Sequence, residues 1–326
     1  MITCDLCFVT APQNKGWILD RICKEIGKVA DEAGAFCDYA YRLHLLPQAS
    51  AYFVSHYSLV PQMVMLNKHI NIGDIVVFFT HTSSDLKEFI PYFNACRMVI
   101  AECQFYYNEL ISLGVKEEKI TWIPEGSDPA VFKPHDRTGK GAILFSGSYR
   151  RRKNFDQLLE IAKEMPEHKF IFVTRMLDTW IKSQELRSLP NVAIIEDVPY
   201  DQYPGIYSQC DVYLSCSTVE GGGPNSMLEA MMSNIVPVVS DVGNAREFIV
   251  QGSNGFIFPL GSSSSEVISL IEKAYKLKPE GSDIYETVQS FTWKEFSRCA
   301  LEYLLPNLTL PVLSENTSIE PLPPAG

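Results

Sequence analysis

The residues best placed to do chemistry lie in one stretch, Ser217-Thr218-Val219-Glu220-Gly221-Gly222-Gly223-Pro224-Asn225-Ser226-Met227-Leu228-Glu229. It leaves an apolar segment at 212–214, crosses three consecutive glycines and enters a helical stretch that opens at Pro224, Asn225 and Ser226. Glycines let backbone amides approach a ligand, and a helix start aims unpaired N–H groups and the positive end of its dipole at the same place. Such a turn seats an anion. Glu220 before the glycines and Glu229 one turn into the helix only accept hydrogen bonds when ionised, so they suit hydroxyl groups beside that anion. A nucleotide sugar carries both parts. A tight strand-to-helix turn with solvated acids is the plainer account of the same residues.

A departing nucleoside diphosphate gathers negative charge on its terminal oxygens and needs fixed positive charge nearby. Gly147 and the run Arg150-Arg151-Arg152-Lys153 follow directly on an apolar segment at 142–145. Arginine grips phosphate oxygens bidentately and lysine adds a mobile point charge, with Lys153 the first candidate and Arg151 the second. A basic run is usually a solvated face, but at a strand's carboxyl end in an acidic protein it points to function. Base recognition falls to Ile195-Glu196-Asp197-Val198-Pro199-Tyr200, where backbone groups at Asp197 and Val198 can read a base edge and Tyr200 can offer a ring face. A carboxylate there can accept the ring N–H and exocyclic amine of guanine, which tilts the donor toward a GDP-sugar. Solvated loop acids account equally well for Glu196 and Asp197.

Two histidines complete the set. His56 and His81 each end an apolar segment, in Val54-Ser55-His56 and Phe79-Thr80-His81. In an open α/β sheet the carboxyl ends of the strands line the ligand crevice, which sets a functional role against the purely structural one that a lone histidine more often has.

The elements that must position these groups come in two series. Apolar runs at 6–9, 52–55, 75–79, 98–101 and 120–123 alternate with helical periodicity, as at 17–33 and 104–113. A second series has runs at 142–145, 170–173, 192–195, 212–214, 236–239 and 255–258, then a serine-capped helix at 266–277. Continuous runs of β-branched and aromatic residues alternating with helices predict an α/β fold with parallel sheets covered on both faces. The polar, breaker-rich stretch 133–141 divides the chain into a domain at 1–133 and another at 141–305, in keeping with a length of 326 residues. The last helix of the second segment is expected to pack back on the first domain. Residues 306–326, rich in Pro, Ser, Thr and Asn, are expected to form a flexible tail.

A net charge of -11 and a pI near 5.1 argue against a nucleic-acid partner. Nine cysteines without paired metal-type spacing suggest reduced thiols in a cytoplasmic protein. The N-terminus has no basic region followed by an apolar run, and no stretch reaches the length of a membrane span. The triplet Asn307-Leu308-Thr309 fits a glycosylation sequon but lacks a secretory context. Neither leading strand is followed by Gly-x-Gly-x-x-Gly, which speaks against a nicotinamide enzyme, and no Walker A sequence occurs. No Asp-x-Asp pair is present to hold a diphosphate-bound cation.

From about residue 115 onward the chain resembles the retaining glycosyltransferases of family 4. The resemblance is carried by Ile123-Pro124-Glu125-Gly126-Ser127-Asp128 with Phe132, Phe145-Ser146-Gly147 with Lys153, the stretch 220–231, and Gly255-Phe256, in the family's order. In the first third it rests on Gly16, His56 and His81. It implies the GT-B architecture: two Rossmann-like domains facing across a cleft, the first on the acceptor side and the second binding the nucleotide sugar. It further implies that Glu229 holds the ribose hydroxyls, Glu220 faces the transferred sugar, His81 approaches that sugar, and Gly16 lies near the diphosphate and acceptor. Two departures stand out. The family places seven residues between its two acids where Glu220 and Glu229 enclose eight, so the extra glycine is either a looped-out insertion that keeps both roles or a change that removes Glu220 from the site. The family's arginine after the glycine is replaced by Ser148, leaving Arg150 or Arg151 to take over.

The expectation is a cytoplasmic, metal-independent, retaining glycosyltransferase that needs no cofactor. It moves a hexose, mannose being favoured, from a nucleoside-diphosphate sugar to a hydroxyl of a glycan or other acceptor. GDP-mannose is the favoured donor and UDP-glucose the next. The alternatives are a nucleotide-sugar epimerase or hydrolase on the same scaffold, or a catalytically degenerate protein that binds nucleotide sugar or glycan without turnover.

Overall fold

A computed structural model describes residues 3–81, 86–220, 225–277 and 283–310. The chain forms two compact units, one taking residues up to Gly126 and again from Ser290 onward, the other Ser127–Gln289. The seam therefore falls ahead of the stretch 133–141. The buried carboxylate of Asp211 accepts hydrogen bonds from within that stretch, from the Thr138 amide at 3.2 Å, the Thr138 hydroxyl at 3.0 Å and the Gly141 amide at 2.8 Å. Thr138 and Gly141 are thus held by the second unit's own strand.

The first unit is built on six strands, β1 (Cys4–Val9), β2 (Cys37–Ala40), β3 (Ala49–Val54), β4 (Ile75–Phe79), β5 (Met98–Ala101) and β6 (Ile120–Trp122). They pair in parallel in the order β2-β1-β3-β4-β5-β6. Successive side chains of a strand face opposite ways. Cys7, Val9, Val77 and Phe79 accordingly enter one core, while Leu6, Phe8, Val76 and Phe78 enter another. Burial on both faces is why these strands read as unbroken apolar runs. The edge strand β2 is half exposed and has no such run, so the sequence pattern misses it.

The helix Ile18–Glu32 covers the second core with Ile22, Cys23, Ile26, Val29 and Ala30. Within it a Cβ on Gly27 would lie 1.9 Å from the Tyr39 hydroxyl oxygen, so only glycine lets β2 pack this closely. The last helix, Trp293–Leu304, adds Trp293, Phe296, Ala300, Leu301 and Leu304 to the same core. Each Leu or Phe among them contributes about 1.5–3 kcal/mol on burial. Thr292 caps that helix by accepting from the Glu295 amide, and Arg97 donates to the Leu304 carbonyl at 2.7 Å. Leu308 and Leu310 still pack against this core, so the chain keeps a defined course past residue 306; 311–326 lie outside the described residues.

The second unit repeats the plan with β7 (Ala142–Ser146), β8 (Phe170–Thr174), β9 (Val192–Glu196), β10 (Cys210–Ser215), β11 (Val236–Ser240) and β12 (Phe256–Phe258). The order is β12-β11-β10-β7-β8-β9, again all parallel. From β7 the chain builds outward through β8 and β9, then returns to β7's other side for β10. The strand order thus reverses between β7 and β10 here, and between β1 and β3 in the first unit. No helix among the described residues is long and apolar enough to cross a membrane, and all nine cysteines are free thiols.

Candidate functional site

Ligands of open α/β sheets bind outside the carboxyl ends of the strands where the order reverses. In the second unit that point lies after Ser146 and Ser215. Beyond β7 the chain stays paired to its neighbour, the Gly147 amide donating to the Val173 carbonyl at 2.9 Å and the Tyr149 amide to Arg175 at 2.8 Å. Gly147 adopts φ +154, a value that a side chain would disfavour. A single turn, Arg151–Lys153, and Asn154 in the left-handed region then lead into the helix Phe155–Glu164.

The basic run and the first acid meet directly. Lys153 and Glu220, 7% and 4% exposed, form an ion pair through the lysine ammonium and Oε1, and the Arg152 guanidinium takes Oε2. The Ser217 hydroxyl donates to Oε1 at 2.5 Å. Arg152 also donates to the Val219 carbonyl at 3.0 Å, and its own carbonyl accepts from the Thr218 amide at 2.7 Å. A Cβ on Gly147 would lie 3.8 Å from Lys153 Nζ, so the ammonium sits at the end of β7. Burial pushes the Glu220 carboxyl upward, but Lys153, Arg152 and the hydrogen bonds from Lys153 and Ser217 outweigh it and hold the group below its ordinary pKa. Burial depresses the Lys153 ammonium, with Glu220 opposing. Arg151, the second candidate from the sequence, is exposed and makes no ion pair among the described residues, while Arg150 donates to the Tyr149 carbonyl and the Met176 sulfur.

The helix Asn225–Met232 carries the second acid. Its Ser226 hydroxyl donates to the Ser146 carbonyl at 2.8 Å, and the Tyr207 hydroxyl donates to Glu229 Oε2 at 3.2 Å. Burial and then Glu229 push the Tyr207 hydroxyl well above its usual pKa, so it stays a donor. Asn225 is partly buried at the helix start. Gly221, Gly222, Gly223 and Pro224 lie outside the described residues.

The segment assigned to the base leads out of β9. Glu196 is bound by Arg187 at 2.5 Å, and Asp197, with φ +53, lies 3.4 Å from Arg175. Val198 is buried, and the Tyr200 ring packs edge-on against Phe132 at 5.6 Å. Each of the segment's two carboxylates therefore has a cationic neighbour.

In the first unit Ser55 bridges the reversal point, its hydroxyl donating to Thr10 Oγ1 at 2.8 Å. His56 follows it, and its ring lies 5.4 Å from that of His81, two residues beyond β4. His56 Nδ1 accepts from the Ser58 amide at 3.3 Å, and His81 Nδ1 lies 2.7 Å from the Thr80 hydroxyl. Burial, helped by His81, pushes the His56 imidazole down to about 4. Gly16, at φ +80, donates its amide to Asp20 Oδ2 at 2.8 Å. Asp20 is fully buried and also accepts from Tyr41 at 2.7 Å and Lys24 at 2.8 Å. Burial raises its carboxyl, but those three partners prevail and hold it below its usual range.

Sequence reasoning missed Arg152, Ser217, Tyr207 and Asp20. Arg152 and Ser217 adjoin named candidates and so had a signal; Tyr207 lies 22 residues from Glu229 and had none. Among the described residues no group of three or more His, Cys, Asp or Glu side chains is arranged to hold a metal.

Residues 128–290 match the family model described as Glycosyl transferases group 1. The chain belongs to this family. A curated relative of this group 1 glycosyltransferase, the UDP-N-acetylglucosamine–peptide N-acetylglucosaminyltransferase GtfA subunit of Streptococcus pneumoniae, is 29% identical over 168 residues, 50% of this chain. The match spans 33% of that relative's length. Sucrose-phosphate synthase from Thermosynechococcus elongatus superposes with a TM-score of 0.74 at 13% identity, covering 91% of this chain and 97% of its own. Anabaena HepE, solved with UDP and glucose, gives 0.70 at 14% identity over 92% and 99%. The fold is GT-B.

Proposed function

We propose that this group 1 glycosyltransferase is a retaining, metal-independent hexosyltransferase whose donor is a UDP-sugar. The observation that supports it most is the Lys153–Glu220–Arg152 cluster beside Gly147, where the strand order reverses. Fixed cations at that place suit a diphosphate, and Glu229, accepting from Tyr207, suits ribose hydroxyls. Positioning and electrostatic stabilisation of the departing diphosphate supply the catalysis, with the cations doing the work a metal would otherwise do. Retention of configuration comes from the family resemblance.

The sequence leaned toward GDP-mannose through a carboxylate for guanine, and Glu196 pairs with Arg187 while Asp197 lies near Arg175 at the surface. The relatives' names and ligands carry UDP, and that favours a UDP-sugar. The acceptor is a hydroxyl, and the relative's name puts peptides beside glycans among the acceptors to try. The free thiols fit a cytoplasmic location.

Incubation with UDP-glucose, UDP-N-acetylglucosamine and GDP-mannose, with glycan and peptide acceptors, separates transfer from hydrolysis, epimerisation and inert binding by their products. Transfer from a UDP-sugar that persists in excess chelator is expected. Activity lost to chelator and rescued by manganese would overturn metal independence, and exclusive use of GDP-mannose would overturn the donor.

A further inference from the structure

We infer that Glu220 serves the donor's diphosphate, as the positioning residue for Lys153 and Arg152, and is not the contact to the transferred sugar. The inference rests on the proposal that the second unit holds a UDP-sugar. Its ground is geometric. Oε1 of Glu220 accepts from the Lys153 ammonium and the Ser217 hydroxyl, and Oε2 accepts from the Arg152 guanidinium. A carboxylate that is 4% exposed and engaged by two cations and a hydroxyl has little room left to accept, and turning it toward a sugar hydroxyl competes with those charge-assisted bonds.

The cations are in the opposite position. An ammonium has three donors and a guanidinium five, so each can bind Glu220 and still offer N–H groups to phosphate oxygens. Lys153 is packed at the end of β7 against Gly147, deep enough that without a counter-charge it would tend to lose its proton. Glu220 keeps it charged before the donor arrives and fixes where the charge sits. Two cations against one carboxylate leave the cluster with a net positive charge for the diphosphate. The eighth residue between Glu220 and Glu229 is the sequence counterpart, since it removes Glu220 from the spacing at which the family's first acid meets the sugar.

The test is calorimetric titration of the full chain with UDP and, separately, UDP-glucose. Glu220→Gln is expected to weaken both by the same factor, about tenfold. A second readout concerns protonation. The charged groups facing Lys153 are Glu220, from the segment after β10, and Arg152 on its own turn; Gly147 and Ser217 beside them are uncharged. With Gln at 220 the lysine of the unbound protein has a lowered pKa that bound diphosphate raises again, so UDP affinity falls as pH rises from about 7 to 9. The wild type, whose Lys153 has Glu220 opposing the effect of burial, loses less affinity over that range, and Glu220→Asp, which keeps the charge, restores the wild-type profile. Simple damage to the fold would not create this dependence. Loss confined to UDP-glucose, with UDP unchanged, overturns the inference, as does wild-type binding of both by Glu220→Gln. Should Glu220→Gln fail to fold, the same comparison on Glu220→Asp decides: equal losses support it and loss of UDP-glucose alone overturns it. A wild type that bound neither ligand would defeat the donor proposal itself, an outcome distinct from any seen only in the variants.

Discussion

The Ser226 hydroxyl donates to the Ser146 carbonyl at 2.8 Å and lies 2.8 Å from the Tyr213 hydroxyl. The first turn of the helix Asn225–Met232 is thereby fastened to β7 and β10, the two strands between which the sheet's order reverses. Ser226 is therefore a fastening of the site, and its hydroxyl already has two partners.

Ser226→Ala should strand the Ser146 carbonyl and cost about 1–2 kcal/mol of stability. Because the same helix carries Glu229, UDP affinity should fall with it. Thermal melts and UDP titration check both, and a variant unchanged in melting temperature and affinity would show that the fastening does not matter.

Glu229→Ala should weaken UDP binding by about tenfold to a hundredfold, the loss of a hydrogen bond to a charged group. Tyr207→Phe removes only the donor that orients Glu229, so a smaller loss of up to about tenfold is expected. Titrating both variants with UDP tests the order: a larger effect at Tyr207 than at Glu229 would mean that the tyrosine acts through packing with Phe132 and Tyr203.

The buried strands were legible because burial on both faces leaves unbroken apolar runs, and Glu220, Glu229, Lys153 and Gly147 were legible because chemistry and glycine geometry mark them locally. What the sequence hid is tertiary. That Arg152 rather than Arg151 joins Lys153 on Glu220 depends on which residues of one short turn face β10. That Asp20 anchors the Gly16 loop depends on a helix start returning to its own preceding turn. The stretch 133–141 has the composition of a linker, yet its Thr138 and Gly141 are bound by Asp211, a partner about 70 residues away. β2 showed no signal because a half-exposed edge strand needs no apolar run.

His56 makes a prediction about pH. Its imidazole is lowered to about 4 by burial and by His81, against about 6.5 in an unfolded chain. Below pH 6.5 the unfolded chain takes up a proton that the folded protein refuses until about pH 4. Stability from this group is thus fully present above pH 6.5 and is lost as pH falls toward 4. Urea unfolding between pH 7 and 4 should show a decline that His56→Gln flattens, and an NMR titration should find His56 neutral at pH 6. A His56 that titrates near 6.5 would mean that its ring is hydrated in solution.

His81 should matter to turnover more than to nucleotide affinity. It lies two residues beyond β4 of the first unit, whereas the residues proposed for ribose and phosphate, Gly147, Arg152, Lys153, Glu220 and Glu229, all belong to the second. The family resemblance brings this histidine to the transferred sugar. A hydrogen bond made to that sugar in the transition state would appear in kcat and be silent in UDP binding. His81→Ala should lower kcat by about tenfold to a hundredfold while UDP affinity changes by less than about twofold. The exposed ring makes structural damage easy to distinguish, since the variant should melt with the wild type. Parallel loss of kcat, UDP affinity and melting temperature would identify a structural histidine. Full activity in the variant would remove His81 from the site and shift attention to His56, whose ring lies 5.4 Å away at the reversal point between β1 and β3.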